Sequence, residues 1–394
     1  MTKLQLAIDG NEANVEHRVG SNVFAFEVIK SLELLLRRYH HQVTILLSTP
    51  PVIDLPAERT GWRYQVIGPQ QFWTQWGLPI YLWKERKKYD VFFTPGHYAP
   101  RFCPVPYVSS VMDTAYLEYP GQFTTHDRVQ LRHWTAYSVK HAKKVIAISE
   151  FTKASIVAHY AIPEERIEVV YPAASEITSA LTPTEKTQFF KRHAIFEPYF
   201  LFVGTIQPRK NLITLINAFE IFSRKLASNN LLSRTQTKIK PRQLPKLVLA
   251  GKVGWLADDI LERIEHSPFK SRIILTGFVS ETEKKALYQS ASCNFLLGLY
   301  EGFGIPPLEA IQYGTIPVVA NATSLPEVVG QAGYIVPAKN SKRLAEVMLE
   351  ITNQSKKTKA IFRKLGREQA KKFDWQLSAQ KTLAILKSVV NRPS

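Results

Sequence analysis

The sequence predicts an α/β protein made of two doubly wound halves, each with a mostly parallel sheet. Three observations carry this reading. Apolar runs of strand length alternate with amphipathic helical stretches along most of the chain. The alternation breaks at the proline-bracketed stretch 172–198 and then restarts. The length, 394 residues, suits two to three domains at roughly 150 residues each.

The first half opens with a strand at Leu4–Ile8, ended by Asp9-Gly10. Asn22–Arg38 repeats apolar residues at helical spacing. Val43–Leu47, Tyr64–Ile67, Val91–Thr94 and Val108–Met112 are short runs rich in β-branched and aromatic residues, and read as strands. Asp127–Ala142 is a long amphipathic helix, Val145–Ile148 a strand and Glu150–His159 a helix, and the strand Ile167–Val170 closes the set. Pro172, Pro183 and Pro198 then bracket a short charged helix, read as an interdomain linker.

In the second half the predicted strands are Tyr199–Val203, Lys246–Ala250, Ile273–Thr276, Cys293–Leu297, Ile316–Ala320 and Gly333–Val336. The predicted helices between them are Leu212–Leu226, Asp258–Glu265, Glu281–Ser290, Pro306–Tyr313 and Leu325–Val329. Long helices finish the chain, and Ala227–Pro245 reads as an insertion. The expected domains are 1–175, a linker 176–197, 198–375, and a last helix within 376–394.

Composition excludes several classes. With 45% hydrophobic and 21% charged residues the chain is neither disordered nor fibrous. Two cysteines, Cys103 and Cys293, allow neither a disulfide scaffold nor a Cys-rich zinc site, and both are expected as buried thiols in a reducing cytoplasm. The N-terminal MTKLQLAIDG reads as a strand, not a signal peptide, and no run approaches the ~20 apolar residues of a spanning helix. The net charge of +18 lies mostly in the second half. The first 180 residues hold 19 basic and 17 acidic side chains, the remainder 32 and 16. Such a field suits a nucleotide or an anionic leaflet, and no zinc-finger or RNA-binding signature favours nucleic acid.

The most informative segment runs from Glu301 to Glu309, EGFGIPPLE. Gly302 and Gly304 let a ligand approach the backbone, and Pro306 and Pro307 suit a first helical turn, where backbone amides are free for an anion. Glu301 in the loop and Glu309 on the helix can accept hydrogen bonds from vicinal hydroxyls, which suits a sugar nucleotide. The competing reading is two acids favouring a helix dipole. In GTIQPRKN, Gly204 turns after a strand, and Arg209 and Lys210 precede a helix. Two cations there can grip a diphosphate and stabilise the charge on a departing nucleoside diphosphate, or form a solvated basic turn. Near the start, Gly10 and Gly20 flank the usual phosphate-facing turn but do not form G-x-G-x-x-G, and no P-loop is present. Asp258-Asp259 reads as acidic charge at a helix start, not as a metal site.

Together these residues resemble the retaining glycosyltransferases of family 4, which have the GT-B fold. Glu301 and Glu309 match that family's E-x7-E motif, and GTIQPRKN its donor-diphosphate segment. Further matches are AISEFTK at 147–153, Asp113 to Pro120, Ser324-Leu-Pro-Glu327 and Phe373-Asp-Trp375. The resemblance implies two Rossmann-like domains facing a cleft, the first for the acceptor and the second for the nucleotide sugar. The last helix, about Gln376 to Val390, is expected to cross back to the first domain. Transfer is expected to retain anomeric configuration and to need no metal or other cofactor.

The resemblance gives Arg209 and Lys210 to the diphosphate, Glu309 to the ribose, and Glu301 with the Phe303 and Gly304 amides to the sugar. Gly20 gives the phosphates close approach, Gly277-Phe278-Val279 flank the base, and Asp113 positions acceptor or sugar. One departure stands out: many members have His-Asp where this chain has Met112-Asp113, and Met cannot donate a hydrogen bond. Either Asp113 and backbone groups suffice, or His97 compensates, or activity is weak. A second departure is Tyr171-Pro-Ala-Ala174, where the family often has Pro-Gly. Trp76, in the Trp-rich stretch 72–79, is expected on the acceptor side, stacking on sugar or touching lipid. The expected function is hexosyl transfer, mannose or glucose type, from a nucleotide diphosphate sugar to a glycan or lipid-linked acceptor in surface polysaccharide synthesis. The expected location is cytoplasmic, with peripheral contact to an anionic membrane. The alternatives are a nucleotide-sugar epimerase and a non-catalytic nucleotide-sugar-binding protein.

Overall fold

A computed structural model describes residues 3–18, 20–96, 98–175, 179–232 and 244–390. His97 and most of the expected insertion, 233–243, lie outside the described residues. The chain divides into two compact units, residues up to Pro172 with those from Phe373 onward, and Ala173–Lys372.

The first unit carries seven strands: β1 (Gln5–Asp9), β2 (Gln42–Leu47), β3 (Trp62–Val66), β4 (Val91–Thr94), β5 (Tyr107–Val111), β6 (Lys144–Ala147) and β7 (Ile167–Val169). All pair in parallel, in the order β3-β2-β1-β4-β5-β6-β7. The order reverses between β1 and β4, the place where doubly wound sheets open a crevice at their carboxyl ends. The helix Trp375–Ser388 belongs to this unit. Asp374 caps it, accepting from the Gln376 and Leu377 amides at 2.8 and 2.9 Å. Trp375 packs on Phe24 of the helix Ser21–Leu36 with ring centroids 6.0 Å apart, and Ser378 donates to the Tyr171 carbonyl at 2.5 Å.

The second unit carries β8 (Tyr199–Val203), β9 (Lys246–Ala250), β10 (Ile273–Gly277), β11 (Cys293–Leu296), β12 (Ile316–Ala320) and β13 (Tyr334–Val336). These too are parallel, in the order β10-β9-β8-β11-β12-β13, reversing between β8 and β11. β8 shows why both faces are covered. Phe200 and Phe202 point into one core layer with Phe219, Phe222 and Phe295, while Tyr199, Leu201 and Val203 point into the other with Val248 and Tyr288.

Two expectations change. The short charged helix expected in the linker forms at Pro183–Arg192, capped by Thr182, but it is no tether: Phe189 and Ile195 are buried with Tyr199 and Leu201 in the second unit. Hydrophobic burial there outweighs the charged exterior that suggested a tether. The sequence reading assigns no element at 73–84, where the structure has a helical stretch, Trp73–Gly77 and Leu78–Lys84, with Pro79 in the first turn of the second piece. Finally, Cys293 is buried, but Cys103 is half-buried, donating to the Val105 carbonyl at 3.3 Å; burial pushes its thiol up to about 12. No described helix is long and apolar enough to cross a membrane.

Candidate active site

The second unit gathers its charged motif residues where its strand order reverses. The loop leaving β8 forms a tight turn at Pro208–Lys210, and Asn211 ends it in the left-handed region. The Asn211 amide group donates to the Leu297 and Ala338 carbonyls at 3.2 and 2.6 Å, and the Leu299 amide donates to the Arg209 carbonyl at 3.0 Å. These bonds tie the loop after β8 to the segment after β11. Lys210 therefore meets Glu301, its Nζ lying 2.7 Å from Oε1, with side chains only 14% and 10% exposed.

The Glu301–Gly304 loop is braced from behind. Thr323 accepts from the Glu301 amide at 3.1 Å. The buried Ser324 hydroxyl lies 2.8 Å from the Glu301 carbonyl and 2.7 Å from that of Phe303. Gly304 then starts the helix Ile305–Gln312 at φ 109°, where a Cβ would stand 2.7 Å from Leu325 Cδ2, so only glycine fits. Pro306 and Pro307 carry no N–H, so the first-turn donors of this helix are reduced to the Gly304 and Ile305 amides.

Glu309, one helical turn on, is buried and already bonded: Oε1 accepts from Lys284 Nζ at 2.6 Å and Oε2 from the Tyr288 hydroxyl at 2.8 Å. Lys284 also pairs with Glu281 at 2.9 Å. Burial alone would depress the Lys284 pKa, but the Glu309 and Glu281 charges outweigh it and hold the ammonium above its ordinary value. Burial, reinforced by Glu309, pushes the Tyr288 hydroxyl well up, so it stays a proton donor. Lys284 and Tyr288 are functional candidates the sequence reading missed. Their i, i+4 spacing puts both on one face of the helix Glu281–Ser290, but nothing local pairs that face with Glu309.

The ends of β8, β9 and β10 meet through glycine. Gly204 donates to the Ala250 carbonyl and Gly251 to that of Gly277, both at 2.9 Å. A Cβ on Gly251, at φ 150°, would stand 2.0 Å from the Gly204 oxygen. Phe278 is exposed with the Lys252 ammonium 5.0 Å from its ring centre, whereas the Val279 side chain is turned into the core. Gly251 and Lys252 are further candidates the sequence reading passed over. A glycine directly after a strand was the available signal.

In the first unit Gly20 opens the helix Ser21–Leu36, and a Cβ there would meet nothing within 4 Å. Glu12 lies beside it, accepting from Ser21 and Asn22 at 3.1 and 2.8 Å. The half-buried Asp113 accepts from the Ala115 amide at 3.1 Å and so begins a short helix, next to the buried Met112. Trp76 is exposed on a groove that Asp113 does not line.

At the end of β1, burial pushes the Asp9 carboxyl up to about 7; the Asn11 amide opposes this and the Glu12 charge adds to it. The unfolded chain releases that proton near pH 3.8, so between about pH 4 and 7 the native state holds an extra proton. Stability therefore falls as pH rises through this window, at up to about 1.4 kcal/mol per pH unit. Asp9→Asn, which keeps an acceptor for the Asn11 amide, is expected to flatten that dependence in urea unfolding between pH 4.5 and 7.5. An unchanged slope would refute the assignment.

Two family models cover most of the chain: "Glycosyltransferase Family 4" matches residues 26–175 and "Glycosyl transferases group 1" residues 185–369. The chain belongs to the family-4 glycosyltransferases. O-antigen chain mannosyltransferase B of Escherichia coli is 26% identical over 322 residues, 81% of this chain and 78% of that protein. The serotype-specific mannosyltransferase WbdA of E. coli is 26% identical over 245 residues, 61% of this chain but only 28% of WbdA. Among solved structures, Anabaena HepE, crystallised with UDP and glucose, superposes with a TM-score of 0.70 at 16% identity, covering 98% of this chain and all of that one. The two parallel units are thus those of a GT-B glycosyltransferase, and the Glu301–Glu309 and Arg209–Lys210 motifs of this glycosyltransferase both fall in its group 1 match.

Proposed function

We propose that this glycosyltransferase moves a hexosyl group, with mannose as the donor sugar, from a nucleotide diphosphate sugar to a hydroxyl of a glycan or lipid-linked acceptor in surface polysaccharide synthesis. The reading includes retention of anomeric configuration, no requirement for a metal, and work at the cytoplasmic face of an anionic membrane. The observation that carries it is the Lys210–Glu301 pair beside the amides of Gly304 and Ile305, at the reversal of strand order. Names of relatives support the sugar and the polymer, and HepE bound to UDP and glucose supports the donor class.

In this reading the bond from the anomeric carbon to the diphosphate oxygen breaks, and the electron pair leaves on the phosphate. Arg209, Lys210 and the helix amides stabilise that growing charge. The acceptor oxygen bonds the same carbon and passes its proton to the departing diphosphate oxygen. Glu301 orients the sugar, Glu309 the ribose, the backbone at 277–279 the base, and Asp113 the acceptor or sugar. Gly20 leaves room for the phosphates.

The test is a thermal-shift panel of GDP, UDP, ADP and their sugars, followed by NMR of the anomeric configuration in the product. A ligand at 100 times its Kd stabilises by about 2.7 kcal/mol, a readable shift. One nucleotide series is expected to shift melting and to support transfer. No shift with any of them, or an epimerised nucleotide sugar formed without acceptor, would overturn the reading.

A further inference from the structure

The first unit contains a groove of about 920 Å³ that takes in Trp76 of the Trp-rich stretch but none of the charged motifs above. One wall is the helical stretch 73–84, the other the helix Thr125–His141, and Ala99, Arg101 and Phe102 lie between them. Its origin is topological. Parallel strands are usually joined by a crossover helix that covers the sheet face. Between β4 and β5 the described residues form no helix, and the connection carries Pro95, Pro100, Pro104 and Pro106. The flanking helices are left with a gap between them.

The gap is apolar and basic. Trp76, Trp83 and Phe102 on its walls are 63%, 53% and 78% exposed. Lys84, Arg86 and Arg101 line it, and among the described residues no Asp or Glu does. The Arg86 guanidinium lies 4.4 Å from the Trp83 ring centre and that of Arg101 5.4 Å from Tyr137. Among the described lining residues Gln75 is the one carboxamide and there is no carboxylate, so the lining is poor in the acceptors that sugar hydroxyls favour. A second copy would oppose the basic rim of Lys84, Arg86 and Arg101 to itself. Exposed Trp and Phe interleaved with Arg and Lys match instead a leaflet whose headgroups are anionic and whose interior is hydrocarbon.

We propose that this groove seats the protein on an anionic lipid leaflet, with Trp76, Trp83 and Phe102 entering the headgroup–acyl boundary and Lys84, Arg86 and Arg101 holding lipid phosphates. The inference rests on the membrane-face reading above and deepens it by naming the surface. It is tested by co-sedimentation of the full chain with phosphatidylcholine vesicles, with and without phosphatidylglycerol, at low and high salt. Wild type is expected to bind only the anionic vesicles, and less at high salt. Arg86→Gln with Arg101→Gln is expected to lower the partition coefficient roughly 30-fold, the equivalent of about 1 kcal/mol per cation. Trp83→Ala with Phe102→Ala is expected to lower it on anionic vesicles as well. All four side chains are on the surface, so an unchanged melting temperature shows that the variants fold.

The comparison variant is Lys356→Gln with Lys357→Gln, on an exposed helix start in the second unit. If only this variant loses binding, the groove assignment falls while the membrane-face reading stands. If wild type ignores anionic vesicles at low salt, both fall. Salt-independent self-association abolished by Trp83→Ala would make the groove an interface between copies and overturn the proposal.

Discussion

Lys210→Ala is expected to reduce turnover by over ~100-fold, the scale of losing one preorganised charge-stabilising group. The Lys210 ammonium is held 2.7 Å from Glu301 with little exposure, so its position is set before donor arrives and no side-chain search remains at the chemical step. The same substitution leaves the Glu301 carboxylate largely buried without its cation, and a stability loss of up to about 3 kcal/mol is expected. These two effects separate in a double-mutant cycle. Removing both partners, Lys210→Ala with Glu301→Ala, is expected to restore part of the stability, since no unpaired charge is left. Turnover is not expected to recover, because the diphosphate still lacks its cation. Near-normal turnover in Lys210→Ala, or turnover that recovers together with stability, would make the pair structural only.

Glu309→Ala is expected to lower turnover by a similar ~100-fold if Glu309 orients the ribose, and to weaken donor binding. The wild-type carboxylate already receives Lys284 and Tyr288, one on each oxygen. Each carboxylate oxygen can accept a second bond, so the two internal donors aim Glu309 without exhausting it. Lys284→Met is therefore expected to cost about 3 kcal/mol, read by urea unfolding, because it leaves a buried carboxylate with only the Tyr288 hydroxyl. The pH dependence has a definite sign. The Lys284 pKa is raised on folding, so its contribution is complete below the unfolded value near ~10.4 and is lost only as pH rises through the folded one. The deficit of the Met variant should thus be constant from neutral pH to about 9. A neutral effect of Lys284→Met on stability, or normal donor affinity in Glu309→Ala, would remove Glu309 from the ribose role.

Much of the fold was legible locally. The strands of both units fall within a few residues of their apolar runs, because β-branched and aromatic runs bounded by Gly, Pro and Asp encode their own conformation. The helix at Ile305 announces itself through Gly304 and the two prolines that follow. The misreading was also local in origin. The prolines bracketing 172–198 suggested a tether around the short charged helix at Pro183–Arg192, while burial of Phe189 placed that helix in the second unit.

The candidate site divides along the same line. The sequence by itself determined which side chains carry its charge, Arg209, Lys210, Glu301 and Glu309, and which glycines and prolines bend the backbone beside them. Only the tertiary structure decided the pairings. Lys210 and Glu301 are 91 residues apart and meet because β8 lies beside β11 where the strand order reverses. Glu309 meets Lys284 and Tyr288 because the crossover helices before and after β11 reach each other through these side chains. The groove of the first unit exists because one crossover lacks a helix. Periodicity reports what each segment prefers against water or a core. Strand order and helix packing are settled by the burial of whole faces at once, which no single segment contains.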